Sequence, residues 1–486
     1  MYSKVLIANR GEIANRIITS LQDHGIETVV TASDIDLNSV VTRKSDKILR
    51  LPGQDAITTY LNIDKIIRKA KELEVEAIHP GYGFLSENPI FAEEVINNNM
   101  DFIGPLPEQM KFYGDKISAR KIAMQANVPI IEGSDAMSDD DDLFEIAKNI
   151  GFPILLKASA GGGGRGIRLV QSEEEFFPHL NQAKNEARLA FNDDRIFIEK
   201  YIEKGRHIEV QILGLPDGQV LHFGERDCTI QRKNQKLIEE TPAPFMSKQI
   251  IKEIHESAIN LVSTSNYTNA GTVEFIFDMN SNKFYFLEVN TRIQVEHPVT
   301  EMVTGEDLIW RQIQVANGEN INLTQEDIKI KGHAIQSRIY AEDPFNGFQP
   351  SPGTINRVIH PVGAGVRVDT AIEDGSSVSS YYDSMIAKLI VHSPNRSAAI
   401  RKMINNLSNY LITGVHTTVP YIKQVISSPD FSNFSYHTKY LDENKFTIPE
   451  EIMDISRIIA SKFSMGKNSQ QSFQKRISNW KLSSLS

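Results

Sequence analysis

The sequence predicts an α/β fold, and three observations support that prediction. Short apolar runs alternate with helix-like stretches near the start of the chain, in the order KVLIA, EIANRIITSLQDHG, ETVVTAS, EAIHP and DFIGP. A second group of strands is predicted around PILLKAS, IRLV and RIFIEKYI, and a third contains the pair TVEFIF and FYFLEVN. Because strands that alternate with helices build parallel sheets, we expect a parallel α/β domain at the N-terminus.

Two loops of this first domain could touch a ligand. Gly11 suits a tight strand-to-helix turn, but NRGEIA has a single glycine and no dinucleotide-binding fingerprint, so a Rossmann dehydrogenase is poorly supported. HPGYGFLSEN, residues 79–88, follows a predicted strand, where open α/β sheets often place ligands. Turn chemistry alone would also explain its glycines and proline.

Length and composition limit the possible functions. A chain of 486 residues is expected to hold about three domains. Its single cysteine, Cys228, excludes an internal disulfide, and with no secretory signal at the N-terminus a cytoplasmic location is expected. No apolar run is long enough to span a membrane, and the formal charge of -10 argues against a broad nucleic-acid surface.

A glycine-rich loop, ASAGGGGRGIR, follows the predicted strand PILLK. Four consecutive glycines let backbone N–H groups approach a polyphosphate while the loop opens and closes. Lys157, at the end of the strand, can direct a cation toward the same phosphates. The loop is therefore interpreted as a nucleotide lid, although a flexible linker is the alternative, and it lacks the GxxxxGK pattern of a Walker loop.

The segment from Glu274 to Glu301 carries the densest chemistry. TVEFIF and FYFLEVN predict a hairpin, which would bring Glu274, Glu288 and Asn290 onto one face. Such a cluster of oxygen ligands suits Mg²⁺ or Mn²⁺ bound to a nucleotide triphosphate. A solvent-facing polar strand is the alternative.

The following residues, TRIQVEHPVTE, place three functional side chains at alternate positions. If the segment stays extended, Arg292, Gln294 and Glu296 share one side, and Pro298 then interrupts the strand ladder. Arginine can hold a small planar anion, glutamine can add a directional hydrogen bond, and glutamate can remove a proton.

The motifs, taken in order, resemble the biotin carboxylase family of the ATP-grasp superfamily over about residues 1–445. They are IANRGEIA, HPGYGFLSEN, GDK, KASAGGGGRG, EKYI, RHIEVQ, QRKNQK, EFIF, FLEVNTRIQVEHPVTE, RIYAED and YYDSMIAKLI. The resemblance implies an N-terminal α/β domain (1–113), an ATP-grasp domain (114–330) with a mobile glycine-rich lid at about 131–203, and a C-terminal biotin carboxylase domain (331–445). Residues 446–486 would form a C-terminal extension, for which EEIMDISRIIASKF predicts a helix followed by a basic tail.

The resemblance also implies the reaction, an ATP- and bicarbonate-dependent carboxylation of biotin through carboxyphosphate. ATP contacts are implied for Lys116, Lys157, Gly162, Gly163, Gly164, Glu199, Lys200, Ile202, His207, Gln231, Asn234, Glu274 and Glu288. Mg²⁺ or Mn²⁺ would be held by Glu274, Glu288 and Asn290.

The substrate residues implied by the same motifs fall into two groups. Bicarbonate would contact Lys236, Arg292, Gln294 and the backbone of Val295, and Glu296 would deprotonate it. Biotin would meet Tyr82, Asp383 and Arg338, the last stabilising its enolate. Lys236, Arg292, Glu296 and Arg338 are thus the expected catalytic residues. In isolation, Arg338 could instead form a structural ion pair with Glu342.

One position departs from a common family form, and one motif is missing. Asn234 stands in QRKNQK where many members have histidine, which puts the geometry of the ribose contact in question. No AMKM-like lysine motif occurs, so the expected partners are a separate biotin carboxyl carrier protein and a carboxyltransferase subunit. The resemblance also implies a homodimer.

The final carboxyl acceptor stays open at this point. An acetyl-CoA or propionyl-CoA carboxylase is the leading hypothesis, and a two-chain pyruvate carboxylase is the nearest alternative. Another ATP-grasp ligase, such as a carbamoyl phosphate synthetase half, or a noncatalytic nucleotide-binding scaffold would be a different class of protein.

Overall fold

The chain begins with the predicted alternation of strands and helices. The computed structural model describes residues 1–134, 139–158, 167–191 and 193–448. Within residues 1–134 a parallel sheet has the strand order β3-β2-β1-β4-β5. Its strands are β1 (Lys4–Ile7), β2 (Glu27–Ser33), β3 (Lys47–Leu51), β4 (Ala77–His79) and β5 (Asp101–Phe102). The strands predicted from KVLIA, ETVVTAS, EAIHP and DFIGP are therefore confirmed, whereas β3 was not predicted.

Helices connect these strands and lead out of the first sheet. They are α1 (Gly11–Asp23), α2 (Val40–Lys44), α3 (Ile63–Glu72), α4 (Pro89–Asn97) and α5 (Pro107–Gly114). Gly11 has a φ of 65°, the left-handed conformation that glycine adopts without a steric penalty, so the predicted tight turn lies between β1 and α1. The loop after β4 contains Tyr82 and Glu87 and runs along the carboxyl edge of the sheet.

A small antiparallel sheet with its own apolar core follows. Its strands are β6 (Ile154–Ala158), β7 (Ile167–Val170) and β8 (Ile196–Lys200), in the order β7-β6-β8. Helices α7 (Asp140–Ile150) and α8 (Glu173–Phe191) pack on this sheet, whereas α6 (Lys116–Gln125) packs against the core of the larger sheet described below. Leu143, Ile154 and Phe176 are fully buried in the core of the small sheet. The predicted phosphate loop, with Gly162, Gly163 and Gly164, lies outside the described residues.

Residues 193–448 contain a larger sheet with the strand order β13-β12-β9-β10-β11-β14-β21-β19. Its strands are β9 (Gly205–Gly214), β10 (Val220–Arg232), β11 (Gln235–Thr241), β12 (Asn269–Asp278), β13 (Lys283–Asn290), β14 (His333–Tyr340), β19 (Val366–Thr370) and β21 (Met385–Ser393). All neighbouring strands in it are antiparallel. The sheet is continuous across position 330, where the sequence predicts a domain boundary.

Helices and short strands surround this larger sheet. The helices are α9 (Lys248–Ser263), α10 (His297–Thr304), α11 (Leu308–Ala316), α12 (Arg396–Asn409), α13 (Val419–Ser427), α14 (Pro429–Ser432) and α15 (Tyr440–Glu443). The short strands are β15 (Glu342–Asp343), β16 (Gln349–Pro350), β17 (Gly353–Thr354), β18 (Arg357–Ile359), β20 (Ser377–Val378) and β22 (Leu411–Thr413). The predicted helix and basic tail after residue 448 lie outside the described residues.

Apolar side chains pack on the larger sheet near both of its ends. Ile254 and Leu261 of α9 pack against Val210 and Phe275, and Met403 and Ile422 pack on the strands at the other end. Across the part of the chain that the structure describes, no helix has the length and apolar character needed to cross a membrane.

Candidate active site

A cavity of about 1300 Å³ lies between the loop after β4, the small sheet and the larger sheet. Most of the site residues selected from sequence line it. They are Tyr82, Lys116, Lys157, Glu199, Lys200, Ile202, His207, Gln231, Asn234, Lys236, Glu274, Glu288, Asn290, Arg292, Gln294, Val295, Arg338 and Asp383. Glu296 is fully buried just behind this wall. Residues from distant parts of the sequence thus share one cavity.

A row of carboxylates crosses three strands on the floor of the cavity. Glu274 pairs directly with Glu288 on one side and with Glu209 on the other. Directly paired residues on neighbouring strands point to the same face, so the three side chains lie side by side. The hairpin predicted for Glu274 and Glu288 is confirmed, and Glu209 extends the row by one strand.

Lys236, on β11, binds the inner part of this row. Its Nζ donates hydrogen bonds to Glu209 Oε2 (2.5 Å), Glu274 Oε1 (2.8 Å) and Glu296 Oε1 (2.8 Å). Burial alone would lower the pKa of Lys236, but these three carboxylates raise it well above its ordinary value. The lysine is therefore a fixed positive charge at the centre of an acidic cluster.

The outer part of the row fits a divalent cation. Glu288 has no hydrogen bond or ion pair with any residue that the structure describes, and its pKa is raised by burial and by the neighbouring charge of Glu274. Asn290 Nδ2 is buried without a hydrogen-bond partner among those residues, and its Oδ1 accepts a hydrogen bond from Arg292. The carboxylates of buried Glu274 and half-buried Glu288, with an amide oxygen, are the kind of ligands that Mg²⁺ and Mn²⁺ prefer, and a cation there would relieve the repulsion.

Arg292 lies beside the cation ligands with its guanidinium held on three sides. It donates to Glu87 Oε2 (2.9 Å), Gln294 Oε1 (2.8 Å) and Asn290 Oδ1 (3.0 Å). Gln294 in turn donates through Nε2 to Glu274 Oε1 (3.1 Å). The predicted pairing of Arg292 with Gln294 on one side of the chain is confirmed, and the two form a small polar pocket that could hold a planar anion.

The chain does not stay extended as far as Glu296, contrary to the expectation from alternation. Glu296 is the residue that precedes α10, with φ -85° and ψ 7°, and Pro298 occupies the first turn of that helix instead of interrupting a strand. A proline is favourable there because the first helical N–H groups lack partners inside the helix. The turn still brings Glu296 to Lys236, since it folds the chain back under the pocket.

Glu296 is ionised in this environment. Burial alone would raise its pKa, but Lys236, Arg338 and Arg226 hold it well below its ordinary value. Lys236 binds Oε1, and Arg338 donates to Oε2 at 3.0 Å. A buried carboxylate with a cation on each oxygen is anchored in one orientation.

Arg338, on β14, also donates through Nε to Glu239. The alternative ion pair with Glu342 does not form: Arg338 binds Glu239 and Glu296, and the Glu342 carboxylate accepts a hydrogen bond from Ser384 Oγ (2.6 Å). Arg338 therefore faces the cavity between two buried carboxylates, an arrangement that fixes its fork of donors.

The nucleotide side of the cavity is built from the small sheet and α6. The Lys157 side chain on β6 forms an ion pair with Glu199 on β8, and Arg120 donates to the same carboxylate at 3.2 Å. Burial lowers the pKa of Lys116, which begins α6. Lys200 donates to the carbonyl of Gly151 at 2.7 Å.

The remaining candidates lie at the cavity edge or near its floor. Lys233 and Asn234 both have positive φ and form the two-residue turn between β10 and β11, with Asn234 exposed. Gln231 is buried and pairs with Lys236, and His207 Nε2 lies 3.0 Å from Glu274 Oε2. Asparagine suits such a turn because it tolerates the left-handed conformation.

Tyr82 and Asp383 lie on the opposite wall, and Cys228 lies below the floor. The Tyr82 hydroxyl is buried without a hydrogen-bond partner among the described residues, and exposed Asp383 accepts from the Met385 amide (2.8 Å). Burial raises the pKa of the Cys228 thiol, which lies 3.7 Å from Glu296 Oε1. The interpretation of Cys228 as an ordinary buried thiol fits this position.

Sequence reasoning missed four charged residues that support the site. Glu87 binds Arg292, Glu239 binds Arg338, Arg226 binds Glu209 (2.5 Å), and Lys388 binds the carbonyl of Val295 (3.1 Å). Glu87 lies in the loop HPGYGFLSEN, whose position after a strand was a usable signal. The other three lie within strands whose pairing partners cannot be identified from local sequence patterns.

Family models match the chain in three consecutive parts. Residues 1–110 match the biotin carboxylase N-terminal domain, residues 115–324 the ATP-binding domain of the carbamoyl-phosphate synthase L chain, and residues 336–443 the biotin carboxylase C-terminal domain.

Relatives of known name and structure cover most of the chain. A biotin carboxylase of Nostoc sp. is 45% identical over 91% of this chain and 99% of its own length. A pyruvate carboxylase subunit of Methanothermobacter thermautotrophicus is 44% identical over 94% of this chain and 92% of its own. The biotin carboxylase domain dimer of Hydrogenobacter thermophilus 2-oxoglutarate carboxylase, solved with MgADP, ADP and bicarbonate, superposes with a TM-score of 0.88 at 44% identity, covering 91% of this chain and 98% of that one. The chain belongs to the biotin carboxylase family of ATP-dependent ligases and has its ATP-grasp fold.

Proposed function

We propose that this chain is a biotin carboxylase subunit that carboxylates biotin on a separate carrier protein, using ATP and bicarbonate through carboxyphosphate. The observation that carries the proposal is the contact of Glu296 with Lys236 on one oxygen and Arg338 on the other, beside the row of buried carboxylates. A base, a phosphate-directed cation and an anion-binding arginine are the groups that this two-step reaction needs.

ATP would lie between the small sheet and the carboxylate row. Lys116, Lys157 and Lys236 contribute positive charge on this side of the cavity, and the lid at about 131–203 would close over the nucleotide. Glu274, Glu288 and Asn290 would hold Mg²⁺ or Mn²⁺, which supplies charge stabilisation for the transferring phosphoryl group when bound. Glu199, Lys200, Ile202, His207, Gln231 and Asn234 would line the rest of the nucleotide site.

Bicarbonate would bind in the pocket of Arg292, Gln294 and the Val295 amide. Its oxygen attacks the γ-phosphorus of ATP, the bond to the β-phosphate oxygen breaks, and ADP and carboxyphosphate form while the bicarbonate proton passes to Glu296. Glu296 is a weak base as long as Lys236 lies on Oε1. If Lys236 turns toward the phosphates when ATP binds, Glu296 loses one counter-charge and its proton affinity rises.

The second step would take place near Arg338, Tyr82 and Asp383. Carboxyphosphate breaks down to carbon dioxide and phosphate, the phosphate removes the ureido N–H proton, and the ureido nitrogen attacks the carbon dioxide. Arg338 would stabilise the negative charge on the ureido oxygen through its fork of donors.

The carboxyl acceptor that we propose is the acyl group of acetyl-CoA or propionyl-CoA. The partners would be a biotin carboxyl carrier protein and a carboxyltransferase subunit, and the assembly would be a homodimer in the cytoplasm. A two-chain pyruvate carboxylase is the second candidate, because a relative with that name matches nearly the whole chain. Purifying the chain with its neighbouring partners and measuring which acyl-CoA or keto acid is carboxylated distinguishes the two.

The half-reaction itself is tested with the purified chain, free biotin, ATP, Mg²⁺ and ¹⁴C-bicarbonate. We expect ATP cleavage that depends on bicarbonate, is stimulated by biotin and yields labelled carboxybiotin. Turnover that requires ammonia would indicate a carbamoyl phosphate synthetase activity instead. ATP binding without any cleavage would indicate a scaffold and contradict the proposal.

A further inference from the structure

The turn that joins β13 to α10 presents two backbone carbonyls to buried side chains behind the site. The Gln294 carbonyl oxygen lies 2.7 Å from His297 Nδ1, and the Val295 carbonyl oxygen lies 3.1 Å from Lys388 Nζ. Burial and the nearby charge of Lys388 lower the pKa of His297 well below its ordinary value, so its ring stays neutral and donates from Nδ1. The Gln294 carbonyl also accepts from the His297 amide at 3.3 Å, so each carbonyl is held by at least one buried side-chain donor.

These two contacts fix the conformation of a single residue. The Gln294 carbonyl belongs to the peptide plane that contains the Val295 N–H, and the Val295 carbonyl belongs to the plane that leads into Glu296. When both planes are held, the two dihedral angles of Val295 between them are held as well. The direction of the Val295 N–H and the start of the Glu296 side chain are set together.

Lys388 is fully buried, and its charge is balanced by residues other than Val295. Its Nζ lies 3.0 Å from Glu12 Oε2 and 3.7 Å from Asp369 Oδ2. It is the direct strand partner of Arg338, so both side chains point toward the site. A buried ammonium needs nearby carboxylates to offset the cost of desolvation. The hydrogen bond to the neutral Val295 carbonyl is not needed for that charge balance, and it fixes the orientation of the carbonyl.

We propose that Lys388 is a positioning residue for bicarbonate, acting through the backbone of Val295 and Glu296. This inference rests on the proposed function, in which the Val295 N–H binds bicarbonate and Glu296 accepts its proton. Lys388 itself touches neither substrate. Its Nζ holds the Val295 carbonyl from behind, so that the N–H and the carboxylate meet the same small anion.

The variant Lys388→Met removes the donor and keeps an unbranched side chain of similar length. We expect kcat/KM for bicarbonate to fall roughly 10- to 100-fold, the range for losing one hydrogen bond to a charged group. The KM for ATP should change less than about twofold, because a shift of the backbone at Val295 and Glu296 leaves the nucleotide side of the cavity intact. Lys402→Met is the matched control, since Lys402 also donates to backbone carbonyls, those of Ala364 and His392, away from the cavity.

A double variant separates positioning from charge balance. Glu12→Gln with Lys388→Met removes the ammonium together with its nearer carboxylate, and Asp369 keeps Arg367 as its partner. The melting temperature should therefore return toward the wild-type value while the bicarbonate defect remains. If the double variant recovers wild-type bicarbonate kinetics, or if Lys388→Met alone leaves them unchanged, the proposal is wrong.

Amide hydrogen exchange tests the same idea without catalysis. In Lys388→Met, or in the double variant if the single one does not fold, exchange should accelerate in a peptide covering residues 291–300 and not in the Lys402→Met control. If the wild-type chain shows no bicarbonate-dependent ATP cleavage, the proposed function is wrong. If the variant leaves amide exchange at residues 291–300 unchanged, the positioning role of Lys388 is wrong.

Discussion

Replacing Glu296 by glutamine should nearly abolish biotin carboxylation and leave ATP binding intact. The side chain keeps its size, but it can no longer accept a proton from bicarbonate. It also keeps only one oxygen, so its NH₂ group must face either Lys236 Nζ or Arg338 Nη2, which contact separate oxygens of the glutamate. The substitution therefore removes the base and releases one of two catalytic cations.

The size of both effects can be worked from these contacts. Loss of a positioned general base costs about 10²- to 10⁴-fold in rate. Loss of one charge-assisted hydrogen bond costs about 1.5–3 kcal/mol of stability. The released cation still has a carboxylate partner. Lys236 keeps its contacts with Glu209 and Glu274, and Arg338 keeps its contact with Glu239. The free energy of unfolding should thus fall by less than the roughly 3–5 kcal/mol seen when a buried ion pair is broken.

The assay measures bicarbonate- and biotin-dependent ATP cleavage beside the affinity for ATP, obtained by calorimetric titration. Glu240→Gln is the control for losing a buried glutamate, because Glu240 binds Arg396, His333 and Tyr436 away from the cavity. We expect that control to melt earlier and keep its kcat. Wild-type turnover in Glu296→Gln would refute the assigned base, and equal loss of turnover in both variants would assign the effect to general destabilisation.

The remaining predictions concern the arginine, the cation and pH. Arg338→Gln should lower the rate of biotin carboxylation about 10²- to 10³-fold, the cost of losing one oxyanion donor, and leave the affinity for ATP unchanged. Carboxylation at the wild-type rate would reject the role of Arg338. Glu288→Gln should weaken Mn²⁺ binding, followed by electron paramagnetic resonance, by at least roughly tenfold, and unchanged binding would remove Glu288 from the cation site. Burial lowers the pKa of His79 to about 3, so the unfolded chain binds a proton below pH 6.5 that the folded chain does not. Stability measured by urea unfolding should therefore fall as pH drops from 6.5 toward 3, by about 1.4 kcal/mol per pH unit from this residue. His79→Asn, whose side-chain oxygen can still accept from the Gly81 amide, should flatten that dependence, and an identical pH profile would contradict the assignment.

Local sequence patterns were sufficient for the carboxylate hairpin. Alternation in a strand has a period of two, so Glu288 and Asn290 had to share a face, and a short turn between TVEFIF and FYFLEVN left few registers that could place Glu274 elsewhere. The observed register pairs Glu274 with Glu288 directly. Arg292 and Gln294, two residues apart and ahead of the turn at residues 295 and 296, also meet as the pattern predicted.

The contacts around Glu296 could not be derived in this way. Alternation does not say where an extended segment ends, and the chain turns at Val295 and Glu296, where the pattern required an extended backbone. Lys236 binds Glu296 and Glu239 binds Arg338, and both of these partners lie on β11 of the larger sheet. Strand order in a sheet depends on packing between distant segments, which no local period encodes.

The continuous larger sheet has a consequence for the lifetime of a reactive intermediate. Lys236 and Arg338 lie on β11 and β14, which are hydrogen-bonded neighbours, and their charged groups bind the two oxygens of the same Glu296 carboxylate. On the proposed chemistry, an unstable mixed anhydride formed at Lys236 would already be within a molecular diameter of its acceptor at Arg338. No step of transport through water would separate formation from use, and hydrolysis would have little time to compete.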